Sequence, residues 1–349
     1  MADLPTLASG RAAIVEGARV AGVVACVPPR QVGNDHFADR FGEGVAEVTK
    51  MTGVLTRRWV DNDATASDLC TAAAERLLDK LGWSPDSVDA LIFISQTPDY
   101  RLPATATVLQ AKLGLRPGVI AFDINLGCSA YPYGLWLSMM TAASGAARRV
   151  LLAVGDTSSR VVDPNDRATA LLFGDAGTVT AIEAAPDAGP SHFVLGSDGR
   201  GASNLIITDG AFRTGERRGS NAPDKLFMDG GEIFTFTLKA VPPLVADTLA
   251  LAGTTVDDYD GFLFHQANTF MIKHLAKKSK LPTDRVPINI DRYGNTSSAT
   301  IPLLLADDMA GRLSSATLKL AMFGFGVGYS WGSASLSMGP LACVETVTL

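Results

Sequence analysis

The chain is sparing with cysteine, histidine, aromatic residues and charge. Its four cysteines, Cys26, Cys70, Cys128 and Cys343, are scattered over 349 residues without a CxxC pair or a close Cys/His cluster. That spacing offers neither a disulfide framework nor a structural zinc site. The four histidines, His36, His192, His265 and His274, show no HExxH pattern, and no metal is expected. Charged residues are 19%, and 30 Lys+Arg against 36 Asp+Glu leave a net charge of -6. An acidic balance is ill suited to neutralising phosphates, so nucleic acid is not an expected partner. No uninterrupted apolar run reaches about 18 residues, so no membrane-spanning helix is expected. The first twenty residues are broken by Asp3, Arg11 and Glu16 and do not read as a signal peptide. The expected setting is a reducing cytoplasm, where a free thiol persists.

What is present is apolar material, 47% of the chain, in a length that suits two packed halves. Apolar runs predict strands at 18–27, 90–97, 119–125, 148–156, 170–184, 192–197, 204–210, 261–266, 286–290, 318–328 and 330–338. Amphipathic stretches predict helices near 66–81, 103–113, 128–144, 231–252, 268–280 and 298–310. The alternation argues for α/β layers with buried strands. The halves echo one another: VDALIFISQT (88–97) resembles YDGFLFHQAN (259–268), and the strand pairs near the end of each half are alike. A duplicated unit follows, with residues 1–187 and 188–349 as its halves and AAPDAGP (184–190) as the connection.

Three residues are candidates for chemistry. Cys128 follows the strand VIAFDIN and a tight turn, and opens an apolar helix in which Pro132 fits only the first turn. A helix N-terminus favours a thiolate, the nucleophilic form of cysteine. Most single cysteines are buried and inert, the reading that suits Cys26, Cys70 and Cys343. His265 falls at the carboxyl end of the strand GFLF, where α/β sheets place ligands. Asn295, in YGNTSSATIP, would by itself be read as a turn residue or helix cap.

Taken together, INLGCSAYPYGL, HQAN and GNTSSATIP resemble the three active-site signatures of the β-ketoacyl-acyl-carrier-protein synthase III family of condensing enzymes. TGVLTRRW, VDPNDRATALLFGDAG, MDGGEIF and YSWGSA match the family in order, so the resemblance spans nearly the whole chain. It implies a thiolase-like α/β fold, two duplicated halves in a five-layer αβαβα arrangement. It also implies an acyltransferase that acylates Cys128 and condenses the acyl group with a malonyl thioester, with loss of carbon dioxide. His265 and Asn295 would be the neutral donors that hold the enolate oxyanion. The loop carrying Val327 and Gly328 would hold the second oxyanion, and Leu102 stands at the family's dimer-interface end of the acyl pocket.

The resemblance further places Arg167 at a coenzyme A nucleotide contact, and Gly230, Phe234 and Asn268 along the pantetheine tunnel. Coenzyme A or phosphopantetheine thioesters would be substrates, with no resident cofactor, and the expected state is a homodimer. Lys273, Lys277 and Lys278 offer a docking face for acyl carrier protein. The chain departs from the family where Glu47 and Met51 replace an adenine clamp, where Phe270 replaces an arginine, and where Leu102 replaces a phenylalanine. A cysteine protease also orders Cys, His and Asn in this way, but the local sequence context of such a protease is absent. A same-fold acyltransferase, a non-decarboxylative condensing enzyme or a non-catalytic acyl-binding subunit are the remaining alternatives.

Overall fold

The computed structural model describes residues 7–61, 63–213 and 224–349. Two sheets carry the fold. The first has six strands in the order Cys343–Thr348, Ala18–Val27, Asp175–Ala184, Arg149–Thr157, Ala90–Ile94, Ile120–Ile124. The second has five, in the order Arg11–Val15, Ser191–Ser197, Ser330–Met338, Leu318–Gly326, Gly261–Phe264. Strand alternation sends side chains to both faces of each sheet. In Arg149–Thr157, Val150, Leu152 and Val154 face one cluster while Leu151 and Ala153 face another.

The first of these clusters lies between the sheets. It joins Leu135 and Met139 of the helix Ala130–Ala143 and Leu303 and Leu304 of the helix Thr300–Ala306 to Leu320 and Leu336 of the second sheet. The helix Ala66–Leu81 covers the outside of the first sheet through Leu69, Cys70 and Leu77. The helices Gly230–Ala252 and Thr269–Lys278 cover the outside of the second through Val241, Leu244, Ile272 and Leu275. The result is the αβαβα layering of the thiolase fold. Gly230–Ala252 is long and apolar enough, by length and composition, to cross a membrane, which the sequence reading did not foresee. Glu232, Lys239 and Asp247 interrupt it, and its Phe236–Val245 face is packed into the protein.

The structure corrects several expected elements. VPINI (286–290) is not a strand: Pro287 has no N–H for a ladder, and the Asn289 N–H is taken by Gln266 Oε1 at 3.2 Å. Of 204–210 only Leu205–Ile206 pairs, with Phe227–Met228. The run at 170–184 begins as the end of a short helix, Arg167–Ala170, and extends only from Asp175. The helix expected at 298–310 breaks at Asp307. The short strands Gln31–Gly33, Thr56–Arg58 and Phe227–Met228 were not foreseen. Nor, within the two main sheets, were Arg11–Val15 and Cys343–Thr348, both partly exposed along their length. Each stands in the sheet built otherwise from the opposite end of the chain.

Candidate active site

Cys128 lies in the turn between the strand Ile120–Ile124 and the helix Ala130–Ala143. Pro132 occupies that helix's first turn, as its missing N–H requires. The hairpin between Leu318–Gly326 and Ser330–Met338 is pressed onto the cysteine. A Cβ on Gly326 would stand 2.8 Å from Cys128 Cβ and 2.9 Å from Sγ. Only glycine fits there, and its φ of +156° lies where other residues rarely go. This approach brings the Val327 N–H to the sulfur. Gly328, one residue further, does not line the cavity that holds Cys128 and Val327.

The thiol does not rest as a thiolate. Burial is the largest influence and pushes it up to about 12; the Val327 and Cys128 N–H groups and the Ser297 hydroxyl pull the other way. Desolvation thus opposes the charged form that a helix N-terminus favours. Cys26 is likewise pushed up to about 12 and Cys343 to about 11, and Cys70 is raised, all chiefly by burial. These three are buried and fit the inert reading.

His265 follows the strand Gly261–Phe264 and is buried, its N–H bonded to Phe323 O at 2.8 Å. Burial lowers its ring to about 3, so the imidazole is neutral near pH 7. Its Nδ1 lies 2.8 Å from Thr300 Oγ1. Asn295 is pinned to the first half of the chain: its N–H donates to Leu172 O at 2.9 Å and its carbonyl accepts from Gly174 N at 3.0 Å. Its Oδ1 accepts from Ser297 N at 2.9 Å, which leaves Nδ2 as a free donor. Ser297, at φ +52°, thus joins all three. Its hydroxyl addresses Cys128, its carbonyl His265 and its N–H Asn295.

Asp156, 1% exposed, fixes this loop from the first half. It accepts from Ser298 Oγ at 2.6 Å and Ser298 N at 3.2 Å, and from Gln96 N at 2.7 Å and Ser95 Oγ at 3.1 Å. Sequence reasoning missed Asp156, Ser297 and Thr300. The last two lie inside GNTSSATIP and were open to being found; a lone aspartate closing a buried strand has no spacing signature.

A cavity of about 720 Å³ opens from Cys128, walled by Val161, Phe173, Leu205 and Leu226 on one side and by Gln96, Thr97 and Asn125 on another. Leu102 does not line it; it projects from the chain, 86% exposed, while Asp99, Tyr100 and Arg101 reach the wall. Phe234 stacks on Phe270 with ring centres 5.9 Å apart, and Asn268 caps the next helix by accepting from Met271 N at 2.7 Å. Gly230 opens its helix in an exposed position. Arg167 Nη1 pairs with Glu47 Oε2 at 3.2 Å, both side chains exposed. The three lysines do not form one face. Lys273 and Lys277 border a groove of about 980 Å³ with Lys280 and Arg285, whereas Lys278 Nζ turns to Leu238 O at 2.9 Å.

Two family models match the chain: 3-oxoacyl-[acyl-carrier-protein] synthase III over residues 122–199, and the C-terminal part of that enzyme over 249–338. The chain is 35% identical to the β-ketoacyl-[acyl-carrier-protein] synthase III of Xanthomonas campestris pv. campestris, over 91% of this chain and 97% of that one. This chain belongs to the 3-oxoacyl-acyl-carrier-protein synthase III family. The crystal structure of a 3-oxoacyl-(acyl-carrier protein) synthase from Burkholderia xenovorans superposes with a TM-score of 0.97, at 57% identity, covering 98% of this chain and all of that one. The synthase III of Pseudomonas aeruginosa superposes at 0.83, with 32% identity and coverage of 93% and 98%. The protein is accordingly a condensing acyltransferase of the synthase III type.

Proposed function

We propose that Cys128, His265 and Asn295 carry out a decarboxylative condensation on an acyl thioester, and that Ser297 keeps them in register. The observation that carries this reading is that Cys128, Val327 and Ser297 line one cavity, with the Ser297 N–H donating to Asn295 Oδ1 at 2.9 Å. In acylation the Cys128 sulfur bonds to the acyl carbon, the substrate's C–S bond breaks, and the thiol proton leaves on the departing thiol. The Val327 and Cys128 N–H groups hold the intermediate's oxygen. A malonyl thioester then loses carbon dioxide. Thr300 Oγ1 donates to Ser297 O at 3.2 Å; turned instead to Nδ1, it would leave the His265 proton on Nε2, and that N–H and the Asn295 Nδ2 would then hydrogen-bond the enolate oxygen without protonating its carbon. A neutral imidazole suits this task, because a cation would deliver its proton. The carbanion attacks the acyl carbon, Cys128 departs and regains a proton, and a 3-oxoacyl thioester is released.

Acyl carrier protein is the primer carrier this reading favours. Glu47 neutralises Arg167 and adds a carboxylate where nucleotide phosphates would lie. Carrier-bound phosphopantetheine needs no such contact, and would enter past Phe234 and Asn268 with its protein on Lys273 and Lys277. No resident cofactor is required, and the setting is the cytoplasm. Two copies would pair along Ile120–Ile124, the strand at the margin of the first sheet, with Leu102 buried in the contact.

The test is intact-mass analysis after incubation with acyl-coenzyme A and acyl-carrier-protein donors, followed by malonyl-carrier protein. An acyl mass on Cys128 that disappears with carbon dioxide release is expected. Acylation that malonyl-carrier protein does not discharge would refute the decarboxylative step. The carrier preference is read as kcat/KM for one acyl group on each carrier, with the carrier-protein reaction weakening as salt rises. Equal use of the coenzyme A ester, without a salt effect, would overturn it.

A further inference from the structure

Beside the nucleophile the cavity wall is an amide pair. Gln96 and Asn125 follow the ends of two paired parallel strands, Ala90–Ile94 and Ile120–Ile124. Gln96 Nε2 donates to Asn125 Oδ1 at 3.3 Å, and Asp156 holds the Gln96 N–H at 2.7 Å. Among the described residues nothing donates to Gln96 Oε1 and nothing accepts from Asn125 Nδ2. Turning both amides over exchanges their roles and leaves the same complement, one free acceptor and one free donor. Both side chains line the cavity that contains Cys128.

The position of Gln96 says which part of an acyl group it meets. A Cβ on Gly127, the residue before the nucleophile, would collide with Gln96 Oε1 and come within 2.8 Å of Val327 Cγ1. A group against the residue before the nucleophile, lining the same cavity as Cys128, faces the first carbons of a bound chain, while Phe173, Leu205 and Leu226 remain for its tail. A plain alkyl chain would cover both amides without returning a hydrogen bond. A hydroxyl gives one and takes one; an oxo group takes one.

Resting on the proposed acylation of Cys128, we propose that Gln96 and Asn125 select acyl primers bearing an oxygen, as hydroxyl or oxo, on the second or third carbon. The experiment compares acylation rates of Cys128, by intact mass, with N-acetylcysteamine thioesters of butanoate, 2-hydroxybutanoate, 3-hydroxybutanoate and 3-oxobutanoate. At least one oxygenated ester is expected to react about tenfold faster than butanoyl. Gln96→Leu and, independently, Asn125→Leu should each bring that ratio close to one. A ratio is read because a general loss of folding slows every ester together. Butanoyl reacting as fast as all three oxygenated esters in the unaltered chain, or either variant keeping its ratio, would overturn the proposal. Acylation by none of the four would overturn the reaction itself and the selection with it.

Discussion

Asp89 and Asp260 stand at the same place in the two halves, each immediately before the first parallel strand of its unit. Asp89 N donates to Arg149 O and its Oδ2 accepts from the N–H groups of Arg148 and Arg149; Asp260 N donates to Lys319 O and its Oδ2 accepts from Lys319 N. An arginine braces each carboxylate, Arg116 at 2.6 Å and Arg312 at 3.1 Å. The other ends of these strands differ. Gln96 is left exposed to the cavity, while Gln266 is buried with Nε2 on Phe264 O and Oε1 on the Asn289 N–H. One glutamine serves the fold and the other is available to a ligand. The two units agree at the ends that build the sheets and differ at the ends where Gln96 faces the cavity and Gln266 is buried.

The sharpest way to separate the halves is at Cys128. Cys128→Ala should abolish acyl-enzyme and condensation, checked by intact mass and product assay, while slow decarboxylation of malonyl-carrier protein persists. His265→Ala and Asn295→Ala should each lower decarboxylation by roughly 10²-fold or more, the usual scale for one oxyanion donor. Both should still acylate Cys128; failure to do so would give that residue a part in the first step as well.

Desolvation drives His265 and Cys128 in opposite directions along the pH scale. With the folded imidazole at about 3 against 6.5 unfolded, its contribution to stability is complete above about pH 6.5 and is lost as pH falls toward 3. Urea midpoints measured between pH 7 and 4 should decline, and His265→Gln should flatten part of that decline. For the thiol, iodoacetamide alkylation should keep rising through pH 10, with no plateau near 9.

The remaining comparisons concern stability. Gln266→Leu leaves the buried Asn289 N–H without its acceptor and should cost about 1–3 kcal/mol in urea unfolding, whereas Gln96→Leu should be nearly neutral. Asp89→Ala and Asp260→Ala should cost about 1 kcal/mol each, with Asp89 the larger because it accepts two backbone N–H groups rather than one.

Much of this was legible. The long apolar strands of both sheets and the helices Ala66–Leu81, Ala130–Ala143 and Gly230–Ala252 announce themselves by period, and Cys128, His265 and Asn295 by their surrounding runs. The terminal strands were not legible because each is short and only partly buried. VPINI reads as a strand because composition does not register the missing N–H of Pro287. Pairing of Glu47 with Arg167 joins residues more than a hundred positions apart, and nothing in the pattern links them. Gln96 and Gln266 look equivalent as letters; only the partners of their amides tell them apart.

The exchange of terminal strands ties the order of synthesis to the order of folding. The strand Ala18–Val27 is made before the other strands of its sheet, yet its neighbour Cys343–Thr348 is made after all of them. Until then one side of an early, strongly apolar strand has no partner, and it is a template for any passing chain. A chain cut before Cys343 would keep Cys128, His265 and Asn295 and expose an open sheet edge. Its fate would be decided by aggregation and proteolysis rather than by loss of chemistry.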